Sequence, residues 1–230
     1  MIDIRPFDSL GHADHGWLDA HHHFSFASYH DPDRMGWGRI RVWNDDRIAG
    51  KSGFPPHPHR DMEIITYVRT GAITHQDSMG NKGRTAAGDV QVMSAGTGVV
   101  HAEYNLEDED TSLFQIWVET DRPSAQPAWG AMPFPKESRE GSFQLLASGD
   151  SDDGALTINA DARVLGATVK SGESIAYEAD PARHVYLVAS GKVRVNGEAA
   201  NPRDGIAITG ERDVTIEADE DAELVLVDAR

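Results

Sequence analysis

The sequence of 230 residues predicts an all-β protein: two antiparallel, jelly-roll-like β-barrel domains with few short helices. Three observations carry this. Short β-rich runs bounded by Gly, Pro, Asn and Asp recur along the whole chain. Helical periodicity is scarce. A strand, Gly turn, strand pattern occurs once in each half, as Tyr67–Gly71–Ile73 and again as Tyr186–Gly191–Val193. The length suits one large domain or two of roughly 100 residues each.

Taken in order, the first-half runs are Ile40–Val42, Ile64–Val68, Ile73–Gln76, Val90–Met93, Val99–Glu103 and Leu113–Glu119. The second half offers Phe143–Ala147, Leu156–Asn159, Val164–Val169, Glu173–Tyr177, His184–Ala189, Lys192–Val195, Ile206–Thr209, Val214–Glu217 and Glu223–Val227. Many short strands with close turn signals point to sandwiches or barrels. Between the sets lies Asp121–Glu140, with Pro123, Pro127, Pro133 and Pro135. Proline cannot join a central ladder, so this stretch reads as a linker with at most a short helical turn. The expected division is residues 1–130 and 131–230.

Composition narrows the chemistry. The formal charge of −17 argues against direct nucleic-acid binding, which needs basic residues against phosphates. The acidic stretch from Glu211 to Asp228 reads as a solvated face. No apolar run approaches the roughly 20 residues of a membrane-spanning helix, and the first residues lack a signal-peptide profile. A cytoplasmic location and no membrane partner are expected. There are no cysteines, so any metal must be held by imidazole nitrogen and carboxylate oxygen. Of 11 histidines, only His184 lies beyond position 101, which confines histidine chemistry to the first half.

The densest constellation is Phe54-Pro-Pro-His57-Pro-His59-Arg-Asp-Met-Glu63. Residues two apart on an extended segment point the same way, so His57 and His59 project together. Pro56 and Pro58 stiffen the segment. The second segment is Gly96-Thr-Gly-Val-Val-His101-Ala-Glu103-Tyr, where His101 and Glu103 share one face by the same spacing. Facing strands carrying these pairs supply three nitrogens and one carboxylate, with a position left open. Gly96-Thr-Gly98 is not a phosphate cradle, since no helix start follows it. It reads as a turn feeding a ligand strand.

These residues carry a family resemblance. His57-Pro-His59-Arg-Asp-Met-Glu63 with Gly71 resembles the first cupin motif, and Gly88-Asp-Val-Gln-Val-Met-Ser-Ala-Gly96 with His101-Ala-Glu103 the second. More narrowly, Gly16-Trp-Leu-Asp, His75-Gln-Asp-Ser-Met-Gly-Asn81, Met93-Ser-Ala-Gly-Thr-Gly98 and His101-Ala-Glu103-Tyr-Asn105 resemble the pirin family, close to bacterial pirin-like quercetin dioxygenases. The likeness is strong over residues 10–120 and diffuse afterwards. It implies a bicupin whose second domain is degenerate and lacks ligands. General cupins use the first-motif glutamate, here Glu63, whereas in pirins the fourth ligand matches Glu103. Strand parity with His101 favours Glu103. Glu63 is then a residue behind the ligands or a hydrogen-bonded core residue.

The remaining histidines read blandly. Alternation forbids His21, His22 and His23 from all pointing inward. His12, His15 and His30 read as surface or loop residues, His75 as a structural hydrogen-bonding residue, and His184 as structural.

The resemblance implies a metal-dependent flavonol dioxygenase, with quercetin-like substrate and O2 as partners and Glu103 as the proton acceptor. Fe(II) is the expected ion, and Mn, Co, Ni, Cu or Zn also suit nitrogen–oxygen ligands. The alternative is a metal-binding regulator acting through protein partners without turnover. A third reading is a structural metal module, which a closed site with no adjoining cavity would favour.

Overall fold

A computed structural model describes all of residues 1–230. The first half supplies β1 (Ile2–Arg5), β2 (Gly11–Asp14), β3 (Leu18–His22), β4 (Ile40–Ile48), β5 (Ser52–His59), β6 (Met62–Thr70), β7 (Ala72–Asp77), β8 (Lys82–Ala86), β9 (Val90–Ser94), β10 (Val99–Asn105), β11 (Thr111–Glu119) and β12 (Ala128–Met132). They form a seven-stranded sheet, β12-β9-β6-β11-β4-β3-β2, and a four-stranded sheet, β5-β10-β7-β8. The second half repeats this plan, with seven and four strands again. Every ladder is antiparallel except that between Gln144–Ser148 and Leu156–Thr157. There is no α-helix, only three 3₁₀ turns at Phe7–Ser9, Pro32–Arg34 and Lys136–Arg139.

Two details depart from the sequence reading. β1 does not stay with the first half. It pairs with Gly205–Thr209, Ile2 opposite Ile208 and Ile4 opposite Ile206. Ile2 and Ile4 lie on one face, as alternation requires, and pack against the second core. The division at residue 130 is thus crossed by the first strand. The proline-rich stretch also holds a strand, because β12 adds to the edge of the large sheet against β9. Pro127 and Pro133 flank it rather than enter it, which is how an edge strand tolerates proline.

The two halves bury their apolar residues differently. The large sheets of both halves pack on one another through a shared core that includes Trp43, Ile65, Tyr67 and Phe114 with Tyr186, Val188, Ala207 and Val225. The second half fills its own interior with Leu187, Ile206, Ile208, Leu224 and Leu226. Its large sheet is therefore apolar on both faces, which explains near-continuous runs such as HVYLVA. The interior of the first half has only two small apolar clusters, one around Ile48, Val68 and Leu113 and one around Ile64 and Met93. Polar side chains occupy the space between.

Polar contacts cross between the halves as well. Arg139 and Lys136 meet Glu223, which also accepts from the Tyr67 hydroxyl. Arg203 bonds Asp45 at 2.6 Å, and the Tyr186 hydroxyl lies 3.0 Å from His23 Nδ1.

Candidate metal centre

The site grows from the pairing of β5 with β10. Val99 stands opposite His59 and His101 opposite His57. The register then slips, so that Glu103 faces Phe54. The extra residue falls at Pro55-Pro56, where a bulge suits residues that cannot donate to the ladder. The turn entering β10 is Ala95-Gly96-Thr97-Gly98. Gly96 has φ +46° and its hydrogen points at the Ala125 carbonyl, where a Cβ would lie 2.0 Å from the oxygen. Only glycine fits there.

This geometry gathers His57, His59 and His101, whose ligand nitrogens all lie within 4.8 Å of one another. His57 Nε2 and His101 Nε2 are 3.0 Å apart. Two nitrogens bound to one ion at about 2.1 Å and a right angle would stand about 3.0 Å apart. Glu103 joins His101 and His75 in a second group of the same compactness. Glu103 is buried and accepts from Gln91 Nε2 at 2.6 Å, Gln115 Nε2 at 2.7 Å and Thr66 Oγ1 at 3.2 Å. Burial raises its pKa, opposed by the charge of His75 and those donors. Glu63 lies apart on β6, buried, with its carboxylate accepting from the Ser94 hydroxyl.

Ring protons test whether a cation fits. A neutral imidazole carries one N–H. His57 Nδ1 lies 2.7 Å from the Pro55 carbonyl, so it must donate, and its Nε2 keeps a lone pair. His101 Nδ1 lies 3.3 Å from His75 Nδ1, and His75 Nε2 lies 3.1 Å from Asp77. Asp77 also accepts from Asn81 Nδ2 and from the backbone N–H groups of Met79 and Asn81. Burial works to raise its pKa, but the Asn81 and His75 donors and those N–H groups hold it below the usual carboxylate range. An ionised Asp77 needs His75 Nε2 to donate, so His75 Nδ1 accepts and His101 Nδ1 donates. His101 Nε2 is then also left with a lone pair, facing that of His57. A cation between them satisfies every group, whereas moving the single proton of neutral His101 from Nδ1 to Nε2 would break the chain at Asp77.

Burial keeps the His59 and His101 rings neutral. Desolvation, helped by the neighbouring His57, brings His59 down to about 4. Desolvation and then His57, His59 and His75 bring His101 down to about 2. Metal ligation requires this unprotonated form.

A cavity of about 490 Å³ opens on the cluster, lying between the two sheets of the first half. His57, His59, His101 and Glu103 form one side, and Trp17, Phe26, Phe54 and Trp117 give it aromatic walls. Its volume is in the range of small-molecule sites. A cleft of about 540 Å³ beside Asp121, Asp150, Asp161 and Arg163 is polar and has no such cluster. The sequence reading did not place His22 or Asn44 in the cavity, yet both line it. They belong to one rung across the large sheet, His22–Asn44–Gln115–Thr66–Gln91. The signal was a polar residue at the inward position of five neighbouring strands. His21 instead faces outward beside His12 and Asp19, and His23 is fully buried against Tyr186. His184 stacks edge-on against Trp37.

A doubly built β-barrel chain with a three-histidine cluster at the mouth of one barrel defines a cupin-type protein. The comparisons agree. Residues 3–118 match the Pirin family, and residues 145–229 match the quercetinase C-terminal cupin domain. The chain is 65% identical to a pirin-like protein of Caulobacter vibrioides, covering 100% of both chains. It is 43% identical to the quercetin 2,3-dioxygenase of Escherichia coli (strain K12), covering 99% of this chain and 98% of that one. The crystal structure of the bacterial pirin YhhW from Escherichia coli, in complex with nickel(II), superposes with a TM-score of 0.93 at 42% identity, covering 100% of this chain and 99% of that one. This chain belongs to the pirin family.

Proposed function

We propose that the protein is a metal-dependent dioxygenase that cleaves a flavonol-like ring with O2, in the manner named for its quercetin 2,3-dioxygenase relatives. The observation that carries this is the aromatic-walled cavity of about 490 Å³ opening directly on the histidine cluster. A purely structural metal module would need no such space beside its ligands.

In this reading His57, His59, His101 and Glu103 hold one divalent transition metal. Fe(II) is the ion we favour, with Mn, Co, Ni, Cu and Zn compatible with the donors. When bound, the ion supplies Lewis acidity toward an oxygen of the substrate and, if redox-active, electron exchange with O2. The chain does the rest. Trp17, Phe54 and Trp117 sandwich the planar rings and exclude water. His75 and the Pro55 carbonyl hold the imidazoles of His101 and His57 in the ligating tautomer. Glu103 accepts the proton of the 3-hydroxyl. Each carboxylate oxygen offers about two acceptor sites. Oε1 is filled by Gln91 and Thr66, whereas Oε2 takes only Gln115, so the one open site is on Oε2 and Glu103 must release the ion there to take the proton. O2 is consumed, carbon monoxide leaves and a depside forms.

The test is elemental analysis of the purified protein, followed by aerobic quercetin loss with carbon monoxide detection. His57→Ala and His101→Ala should lose metal and turnover together. Glu103→Gln should lose turnover. Full metal in all three variants would refute the ligand set. Metal loss with unchanged quercetin consumption would refute the enzyme reading.

A further inference from the structure

The large sheet presents to this same cavity a buried acid that the proposed chemistry does not use. Asp46, on β4, is 2% exposed and lines the cavity. Its Oδ1 is buried with no hydrogen-bond partner. His22 Nδ1 and Asn44 Oδ1 lie 2.8 Å apart, and Arg69 and Arg203 both bind Asp45 on the opposite face of the strand. No cation pairs with Asp46. Burial, then the charges of Asp45 and Glu103, push its carboxyl well above the usual carboxylate range. A neutral carboxyl group both donates and accepts. An unpartnered buried polar group destabilises a fold, and it persists where a ligand supplies the partner.

We propose that Asp46 is a specificity-determining residue of the cavity, whose carboxyl hydrogen-bonds an oxygen on the ligand end that faces the large sheet. The ligand class is then a planar polyphenol with hydroxyls at both ends, one toward the histidine cluster and one toward β4. A flavonol bearing only the chelating hydroxyl fills the same space and leaves Asp46 bare. This inference rests on the flavonol reading above.

The test compares quercetin with 3-hydroxyflavone, which keeps only the chelating hydroxyl. Metal-reconstituted protein is titrated with each under anaerobic conditions, following the fluorescence of the cavity tryptophans. Wild type should prefer quercetin by about tenfold, the scale of one buried hydrogen bond with its desolvation. Asp46→Asn, which still donates and accepts, should keep that preference. Asp46→Leu should lose it, through weaker quercetin binding and not through a gain for 3-hydroxyflavone alone. The ligand-free Tm of Asp46→Leu should rise, because an unpartnered group is removed; a purely structural aspartate would make it fall. If Asp46→Leu keeps the quercetin preference, or weakens both ligands equally, the inference is wrong while the flavonol reading stands. If wild type binds neither flavonol, both fall together.

Discussion

The hydrogen-bonded chain behind the histidine cluster makes Asp77→Asn the most discriminating substitution. In the native protein Asp77 Oδ2 accepts from His75 Nε2 at 3.1 Å and Asn81 Nδ2 at 2.9 Å, while Oδ1 accepts from the backbone of Met79 and Asn81. All four partners are donors. An amide places an NH2 against two of them whichever way it turns. If the amide nitrogen faces His75, that ring must move its proton to Nδ1, and His101 must then present an N–H to the cluster. Loss of a charge-assisted hydrogen bond is worth about 1.5–3 kcal/mol. Removing a partner that orients a ligating imidazole typically weakens metal binding about 10–100-fold, the same range of energy. The metal affinity of Asp77→Asn should therefore fall within that window, measured by competition with a chromophoric chelator on protein shown folded by circular dichroism. His101→Ala should lose far more. An Asp77→Asn affinity equal to wild type would refute the proton assignment. A loss as large as that of His101→Ala would mean that the turn itself had collapsed.

Other expectations follow from the same structure. Glu223→Ala leaves the fully buried Arg139 without its carboxylate and should cost about 3–5 kcal/mol in urea unfolding, with the metal site of surviving protein intact. Gly96→Ala forces a Cβ against the Ala125 carbonyl at positive φ, so it should destabilise the turn and weaken metal binding together, read by Tm and chelator competition. His23 is buried between the halves, and desolvation with the charge of Arg5 lowers its pKa well below the usual histidine value. Below about pH 6.5 the unfolded chain binds a proton there that the folded one refuses, so stability falls with acidification. His23→Phe should flatten the acid limb of the Tm–pH profile between about pH 6.5 and 5, although the Tyr186 contact is lost; an unchanged slope would remove His23 as its source.

Much of the fold was legible because period-two alternation is local. The runs Ile64–Val68, Leu113–Glu119 and His184–Ala189 all lie within observed strands. What escaped was short, polar and at the margin. β2 and β3 carry GHAD and LDAHH, residues with weak strand preference that pair because β4 offers an edge. β12 hides between prolines for the same reason. No local pattern announces that β1 crosses to the far sheet, since the pairing of Ile4 with Ile206 spans nearly the whole chain. In the site, spacing alone put His57 with His59 and His101 with Glu103, but only the register of β5 against β10 sets one pair against the other, His101 opposite His57.

By itself, then, the sequence determined which donor types a metal could meet, through the lack of cysteine, and the half of the chain that holds the clustered histidines. It also determined the faces on which the four residues project, because alternation follows from backbone geometry. The tertiary structure decided what surrounds them. It separated Glu63 from the cavity and set Glu103 within it, linked His101 through His75 to Asp77, and left Asp46 unpartnered on the facing sheet. Those relations depend on strand register and on the packing of sheets distant in sequence, and no run of neighbouring residues encodes them.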